Sequence, residues 1–259
     1  MHATTDVMEV WKQFDDFAME TLTKAWHWKQ HQGSVSQRTV AQMKEHRHLY
    51  GTSGNCFDLA IWLIDECRLK GITAYATGHD WHTPNAHVAV IVVNHEGYRF
   101  LCDLGDQWIQ PILVDPRSED FCEDMMAGFF PAARTQVKVQ HQQAEIAYIR
   151  PNGKVSRQVF GLEPVEDGQV WEAGGRSQRD VRQSLVERRL FLGNDDVHHW
   201  EFSRWHSFVS TPQGLQPEAP LESLFAWSER IQSRTGMAQS VIESALTYYM
   251  EIEKVKPDR

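Results

Sequence analysis

The sequence predicts an α+β protein in which N-terminal helices precede an antiparallel sheet or small barrel, and a helical segment closes the chain. Apolar residues recur at helical spacing from Val7 to about Trp28 and again after Asn55. Residues 72–162 instead hold short β-branched or alternating runs separated by turn residues, which are typical of strands. Leu221–Thr235 and Met237–Lys254 return to an amphipathic helical pattern. This order indicates separate helical and antiparallel parts within one chain.

These patterns divide the chain into three expected parts. Residues 1–71 form a helical part that carries a candidate nucleophile, residues 72–162 form the antiparallel β part, and residues 177–259 form a mostly helical part able to act as a lid. Glu163–Arg176 is rich in glycine, proline and acidic residues, so we expect a linker there. With 259 residues the chain is long enough to bury a real core.

Composition and charge narrow the classes of partner. Apolar residues make up 41% and charged residues 24%, and the net charge is −9 without a basic run, which argues against nucleic acid or an anionic membrane. Because no segment resembles a signal peptide or a membrane span, we expect a cytoplasmic protein. The expected partner is a small-molecule substrate. The four cysteines lack C-x-x-C spacing and are expected to be reduced thiols. The sequence leaves the oligomeric state open.

Three helices are predicted before the β part. Val7–Trp28 carries one apolar stripe, and a second helix is expected from Ser36 to about His48. The third begins at Cys56, with Asn55 as its N-cap, and ends at Gly71. Cys56 is therefore expected in the first turn of a helix.

Cys56 has the setting of a nucleophile. Gly51 and Gly54 permit a sharp approach with positive φ, which would leave the sulfur accessible. A helix dipole favours a thiolate by only about 0.3–1 kcal/mol, whereas one pKa unit corresponds to about 1.36 kcal/mol. Reactive thiols usually owe the remainder to a neighbouring imidazolium. Because a lone cysteine is commonly a small buried apolar residue, a nucleophile also requires a histidine.

His87 and Asp103 offer that imidazole and a carboxylate to orient it. The β-branched run led by His87 and the alternating run before Asp103 are predicted to form a hairpin that turns at Asn94–Gly97. With a loop of three residues, or of two residues plus a bulge at Gly97, His87 lies directly opposite Asp103, on the same face. Asp103 would then orient the ring as in a nucleophile, base and carboxylate triad with Cys56. A slip of one residue would move Asp103 to the other face.

The loop Gly78–Pro84 leads into His87 and is expected to line the mouth of the site. Trp81 in this loop is a candidate pocket wall or indole N–H donor, and Phe57 beside the nucleophile is a second candidate substrate contact. The histidines and the aspartate of the loop have no second cluster at ligand spacing, so no metal site is predicted.

Further strands are predicted on both sides of the hairpin and beyond it. Ile72–Thr77 is expected to be the first, and Trp108–Asp115 a later one interrupted by its proline. Gln178–Phe191 is predicted as a helix, and His198–Val209 as either a strand or a substrate-facing loop. Three more strands are predicted at residues 136–141, 145–150 and 154–162.

Three motifs follow one another in the order nucleophile, base and carboxylate. They are Gly-Asn-Cys-Phe-Asp-Leu at 54–59, an apolar strand led by His87, and Phe-Leu-Cys-Asp-Leu-Gly at 100–105. This series resembles the arylamine N-acetyltransferases and, more broadly, the transglutaminase-like cysteine superfamily, over roughly residues 50–115. The resemblance implies a cysteine-proteinase-like core. It also implies that Cys56 accepts an acyl group as a thioester, that His87 shuttles the proton, and that Asp103 holds His87.

The resemblance further implies an acyltransferase that passes its acyl group to an amine, with acetyl-CoA or another acyl-CoA as cosubstrate and no bound cofactor. Two segments depart from the family pattern. Thr52-Ser53-Gly54 stands where Arg-Gly-Gly is usual, and Gly105-Asp106-Gln107 stands where Gly-Phe-Gly is usual. The acyl donor and acceptor are therefore left open. The alternatives are a cysteine amidase or peptidase, a transglutaminase-like enzyme, and a non-catalytic binding protein on the same fold.

Overall fold

The computed structural model describes residues 3–193 and 196–255. These residues form seven α-helices and thirteen strands, and the strands make three antiparallel sheets. The predicted α+β class is confirmed. The helices are α1 Thr5–Trp11, α2 Leu22–Gln30, α3 Val40–Tyr50, α4 Cys56–Leu69, α5 Asp167–Arg179, α6 Leu224–Thr235 and α7 Gln239–Val255. None of the helices within the described residues is long and apolar enough to cross a membrane.

The strands fall into three groups along the chain. Sheet order is β1-β10-β11-β12-β13, β2-β3-β4-β5 and β6-β7-β8-β9. The strands are β1 Met19–Glu20, β2 Thr73–His79, β3 His87–Val93, β4 Arg99–Cys102, β5 Ile112–Leu113, β6 Met126–Phe130, β7 Ala133–Gln140, β8 Gln143–Ile149, β9 Val155–Gly161, β10 Leu185–Phe191, β11 Val197–Ser203, β12 His206–Thr211 and β13 Gly214–Pro217.

The N-terminal stripe forms two helices rather than one, so the prediction of a single helix over Val7–Trp28 was wrong. Between α1 and α2 the chain makes a 3-10 turn and then β1, which pairs with β10 far along the sequence. Long-range strand pairing interrupts the helical periodicity there. α3 also begins later than expected, at Val40, because Thr39 and Gln42 form a capping box.

Helix α4 confirms the bounds predicted for the helix that begins at Cys56. The Asn55 side chain accepts from the N–H of Asp58 at 3.1 Å, and the Asp58 carboxylate accepts in return from the N–H of Asn55, also at 3.1 Å. The helix ends at Leu69, and Gly71 takes a φ of +71°. Most of the residues of α4 are buried, and the helix packs against β2 and β3. Cys56 is therefore carried at the start of a core helix.

The predicted hairpin forms between β3 and β4, but its register differs from the predicted one by two residues. Val93 pairs with Arg99, so the turn spans residues 94–98, and the pairing ends at Val90 with Cys102, before it reaches His87 and Asp103. The Asn94 side chain widens the turn by accepting from the N–H groups of residues 96 and 98. Because the shift is even, Asp103 stays on the face that carries His87.

The strands of residues 133–161 form as predicted. Their sheet, which contains β6–β9, packs beside the sheet that contains β2. The Val165 N–H donates to the Ala76 carbonyl at 3.1 Å, and the Tyr75 hydroxyl donates to the Leu162 carbonyl at 3.0 Å. The end of β9 therefore runs beside β2. One continuous cluster of buried residues unites α1, α4 and the sheets that contain β2 and β8.

Two predictions in the C-terminal region were wrong. The expected linker Glu163–Arg176 contains α5, where Gly174 permits close packing, since a Cβ on Gly174 would lie 2.5 Å from Gln37 Oε1. The expected helix Gln178–Phe191 is instead the end of α5 followed by β10, because β10 pairs with both β1 and β11. The region 177–259 is therefore not mostly helical.

The rest of that region follows the sequence more closely. Its last two helices, α6 and α7, confirm the prediction, and His198–Val209 forms β11 and β12, the strand alternative. These elements enclose a second buried cluster with α2, so the N- and C-terminal regions pack together. Residues 1, 2, 194, 195 and 256–259 of the predicted parts lie outside the described residues, and the division into three parts stays a prediction.

Candidate active site

The buried carboxylate of Glu20 fixes the backbone of the loop that precedes Cys56. Glu20, at the end of β1, accepts from the N–H of Gly54 at 2.7 Å and from the N–H of Ser53 at 3.3 Å. Gly54 has a φ of +113°, and a Cβ there would collide with Arg38 and Asp58, so only glycine fits. The loop is thereby fixed, and the partly buried Cys56 begins α4 directly after it.

An ion pair beneath the helix start fixes its position further. Arg38 Nη2 lies 2.9 Å from Asp58 Oδ2, and both side chains are 1% exposed. Gln37 and Gln178 each donate an amide N–H to the same carboxylate, at 2.7 and 3.0 Å. The Asp58 carboxylate is thus fully engaged with neutral and charged donors, which is the condition for a stable buried charge.

His87 and Asp103 are in direct contact. His87 Nε2 donates to Asp103 Oδ2 at 2.7 Å, and Asp103 Oδ1 accepts from the N–H of Asp106 at 2.9 Å. Burial disfavours the charged ring, but the charges of Asp103 and Asp106 and hydrogen bonds with Asp103 and Cys56 outweigh it and raise the pKa of His87 well above its ordinary value. Since Nε2 is engaged by the carboxylate, Nδ1 is the ring nitrogen left for the Cys56 thiol.

The three side chains surround a single glycine. A Cβ on Gly105 would lie 2.7 Å from Cys56 Cβ, 2.9 Å from His87 Cε1 and 3.1 Å from Asp103 Oδ1. Gly105 therefore lies where the three predicted residues come closest together. The geometry brings a thiol, an imidazole and a buried carboxylate together, the groups required for acyl transfer through a thioester.

Asp106 is a neighbour of His87 and Asp103 that sequence reasoning did not place in the site. Its Oδ1 lies 3.9 Å from His87 Nε2, and Tyr148 donates to its Oδ2 at 3.5 Å. Burial and the charge of Asp103 raise the pKa of Asp106, against the opposing effects of His87 and Gln158. The signal was present in the departure from the family pattern, because an acid stands where a phenylalanine is usual.

The two predicted substrate contacts are placed differently. Phe57 is fully buried in the first core, whereas Trp81 is partly exposed, and their rings meet edge to face at 6.2 Å. The Trp81 carbonyl accepts from Arg176 Nη2 at 2.7 Å. Asp106 lines a cavity, described next, and within the described residues neither Phe57 nor Trp81 belongs to its lining. Substrate contact at Phe57 and Trp81 therefore stays a prediction.

That cavity has a volume of about 440 Å³ and lies between the second and third parts of the chain. Asp106 lines it together with Glu187, His199 and Glu201 from β10 and β11. Sequence reasoning assigned β10 to a helix and therefore missed this wall. The other lining residues are Phe130, Pro131, Ala132, Ala133, Arg150, Pro151, Asn152, Lys154, Phe208, Ser210, Thr211, Gly214 and Leu215.

Burial and neighbouring charges shift the pKa values of Glu187, Glu201 and His199. Burial, and next the charge of Glu201, raise the pKa of Glu187 well above its ordinary value. Burial likewise raises the pKa of Glu201, although the charge of Arg150 opposes it. Burial and then Arg150 lower the pKa of His199 to about 4. The imidazole of His199 is therefore neutral at physiological pH.

Comparison with known proteins gives the fold. No family model matches the sequence, and no curated protein matches it significantly. Among solved structures, the arylamine N-acetyltransferase from M. tuberculosis matches with a TM-score of 0.70 at 12% identity, over 95% of this chain and 91% of that one. The Mycobacterium marinum enzyme in complex with CoA matches with a TM-score of 0.67 at 10% identity, over 92% and 88%.

The Salmonella typhimurium arylamine N-acetyltransferase matches with a TM-score of 0.62 at 11% identity, over 89% of this chain and 86% of that one. Identities this low show the fold alone. The likeness extends over nearly the whole chain, beyond the segment on which the sequence resemblance rested. The chain has the arylamine N-acetyltransferase fold, and the predicted resemblance is confirmed.

Proposed function

We propose that this chain, built on the arylamine N-acetyltransferase fold, is a thiol-dependent acyltransferase that forms an acyl-thioester on Cys56 and passes the acyl group to an amine. The observation that carries the proposal is the convergence of Cys56, His87 and Asp103 around Gly105. A structural role alone would not require a partly exposed thiol beside a charged imidazole.

The first half-reaction loads the enzyme. The Cys56 sulfur attacks the acyl carbonyl, and His87 Nδ1 holds the thiol proton while Asp103 stabilises the imidazolium through Nε2. The oxyanion of the tetrahedral intermediate is stabilised by backbone N–H groups at the start of α4, with that of Cys56 as the first donor. The carbon–leaving-group bond then breaks, and His87 returns the proton to the leaving thiol.

The second half-reaction transfers the acyl group from Cys56 to the amine. An amine attacks the thioester carbonyl, His87 takes the amine proton, and the C–S bond breaks with the proton returning to the Cys56 sulfur. An acyl-CoA is the proposed donor, because the M. marinum protein of the same fold is in complex with CoA. The acceptor is a small molecule that enters the cavity lined by Asp106. We place this activity in the cytoplasm, where thiols stay reduced.

A second candidate is hydrolysis of an amide by the same thiol. Asp106 favours it, because a carboxylate 3.9 Å from His87 Nε2 makes the site more polar and can hold a water molecule near the thioester. In that reaction water replaces the amine in the second half-reaction, and the acyl group leaves as a carboxylic acid.

The test is direct detection of the acyl-enzyme. The protein is mixed with acetyl-CoA, longer acyl-CoA donors or p-nitrophenyl acetate, and the modified residue is located by mass spectrometry. We expect one acyl group on Cys56, absent in Cys56→Ala and unchanged in Cys122→Ala, which removes another partly buried free thiol. Release of the acyl group by added amines supports transfer, and release by water alone supports hydrolysis.

The proposal fails if none of these donors acylates Cys56 and if iodoacetamide modifies Cys56 with the same pH dependence in wild type and His87→Ala. In that case a binding role on the same fold is the better account.

A further inference from the structure

Two strands beside the cavity bring two glutamates and a histidine onto one face of a sheet. Glu187 on β10 and Glu201 on β11 are directly paired residues, and His199 lies two positions before Glu201. Side chains at these positions point to the same face. One ligand atom from each of the three lies within 4.8 Å of the others. This spacing brings them around a common point.

His199 lacks a hydrogen-bond partner for the atom that faces this cluster. The residue is 7% exposed, and Nε2 is buried without a partner. Its distance to Glu187 Oε1 is 3.7 Å, which is too long for a hydrogen bond. Buried polar atoms in native proteins are nearly always paired. An unpaired ring nitrogen aimed at two carboxylates is therefore available as a metal ligand.

The charges around the cluster also favour a cation. Among the described residues, neither Glu187 nor Glu201 forms an ion pair with a lysine or an arginine. Arg150 lines the same cavity, but its guanidinium donates to Ser156 Oγ at 2.8 Å. Two carboxylates directly opposite on paired strands repel each other when both are ionised. A bound cation would remove that repulsion.

We propose that Glu187, His199 and Glu201 form a binding site for a divalent transition-metal ion such as Zn²⁺. Imidazole nitrogen and carboxylate oxygen suit Zn²⁺ and its neighbours in the first transition series better than Mg²⁺ or Ca²⁺. Three protein ligands leave coordination positions open, and these face the cavity, where they can bind a substrate group or water. The prediction of no metal rested on the loop before His87 and did not consider these strands.

The site lies in the cavity proposed for the acceptor, and it shares no residue with Cys56, His87 and Asp103. Asp106 lines the same cavity and lies 3.9 Å from His87 Nε2. An ion at the glutamates would hold a carboxylate, hydroxyl or amine group of a substrate toward the thioester. The inference goes beyond the proposed acyl transfer, and metal binding itself does not depend on it.

The experiment measures metal binding to the full chain. Protein freed of metal with a chelator is titrated with Co²⁺ and followed by visible absorption, and with Zn²⁺ in competition with a chromophoric chelator. We expect one equivalent per chain with micromolar affinity or tighter. Glu187→Gln and His199→Gln should each weaken it by more than about tenfold, since even indirect contributors to metal sites cost that much.

Two controls separate this site from others. His198→Gln changes the adjacent histidine of β11, whose ring points to the other face and lies 3.2 Å from Asp196 Oδ1, and it should bind as wild type. His87, Asp103 and Asp106 are a second group that could hold a metal ion. The double variant Cys56→Ala, His87→Ala removes a ligand from that group and none from the proposed site, so it should also keep its equivalent of metal.

Wild type that binds no metal would overturn the proposal, as would binding that survives both ligand substitutions or that disappears with the triad. Binding of spermidine without binding of metal would instead assign the cluster to protonated amines. If the variants unfold, metal-catalysed oxidation of the wild type with Fe²⁺ and ascorbate decides the question. Mass spectrometry should locate the oxidation at His199, and oxidation elsewhere alone would refute the site.

Discussion

A methyl group added at Gly105 is expected to stop the proposed chemistry while leaving the fold in place. The Cβ of Gly105→Ala would lie 2.7 Å from Cys56 Cβ and 2.9 Å from His87 Cε1. Non-bonded carbons prefer about 3.5–4.0 Å, so the Cys56 and His87 side chains must each move away from the new methyl group by roughly 1 Å. A misplacement of about 1 Å at reacting groups costs on the order of 100-fold in rate.

The cost in stability should be smaller than the cost in rate. Gly105 does not have a positive φ, so the backbone admits alanine without strain, and only the methyl group must be accommodated. Overpacking of this kind costs about 1–3 kcal/mol in the free energy of unfolding. We therefore expect a folded protein whose acylation rate falls about 100-fold.

The assay pairs single-turnover acylation of Cys56 with thermal unfolding. Gly168→Ala is the matched control, because a Cβ there meets no atom within 4 Å and Gly168 lies in α5. It should leave both measurements close to those of wild type. The reasoning is refuted if folded Gly105→Ala acylates at the wild-type rate, since the three side chains would then not need their present separation.

Three further results are expected. Because the pKa of His87 is raised in the folded protein, its contribution to the free energy of unfolding is fully present below about pH 6.5 and is lost as pH rises through the folded value. Thermal melts of wild type and His87→Gln should therefore differ most at low pH and converge at high pH; a constant difference would contradict this. Glu20→Gln weakens the acceptor of the Gly54 N–H, so we expect a loss of about 1–3 kcal/mol in chemical denaturation and slower alkylation of Cys56; unchanged alkylation would rule out a positioning role. Arg38→Met leaves Asp58 buried without its charged partner and should cost about 3–5 kcal/mol, whereas the double variant with Asp58→Leu should recover part of it, which denaturant titration can check.

Local signals predicted helix α4, which begins at Cys56, well. Its start depends on a reciprocal cap between Asn55 and Asp58, and its end on Gly71, so neighbouring residues alone determine both. The hairpin was predicted in kind but not in register, because the Asn94 side chain stabilises a longer turn. Because the register differs from the predicted one by an even number of residues, Asp103 still lies on the same face as His87. The predicted contact between the two side chains therefore forms.

The cavity wall could not be predicted from local pattern. Leu185–Phe191 carries charged residues at a spacing that also fits a helix, and it becomes a strand because β1 and β11 pair with it. Met19 and Glu20 carry no strand signal of their own, since two residues are too few to show a period. Tertiary pairing between segments far apart in the chain decided both elements.

The two-residue strand β1 makes this protein hard to divide into fragments that fold independently. Met19 pairs with Glu187, while the adjacent Glu20 donates its N–H to the Gly54 carbonyl at 2.8 Å. One dipeptide therefore connects the wall of the cavity to the loop of the nucleophile. A fragment ending near residue 162 would retain the Cys-His-Asp motifs but expose the unpaired edge of β1 and release one anchor of Gly54. Recombination between relatives of this fold should then succeed only where residues 19–20 and β10 are inherited together.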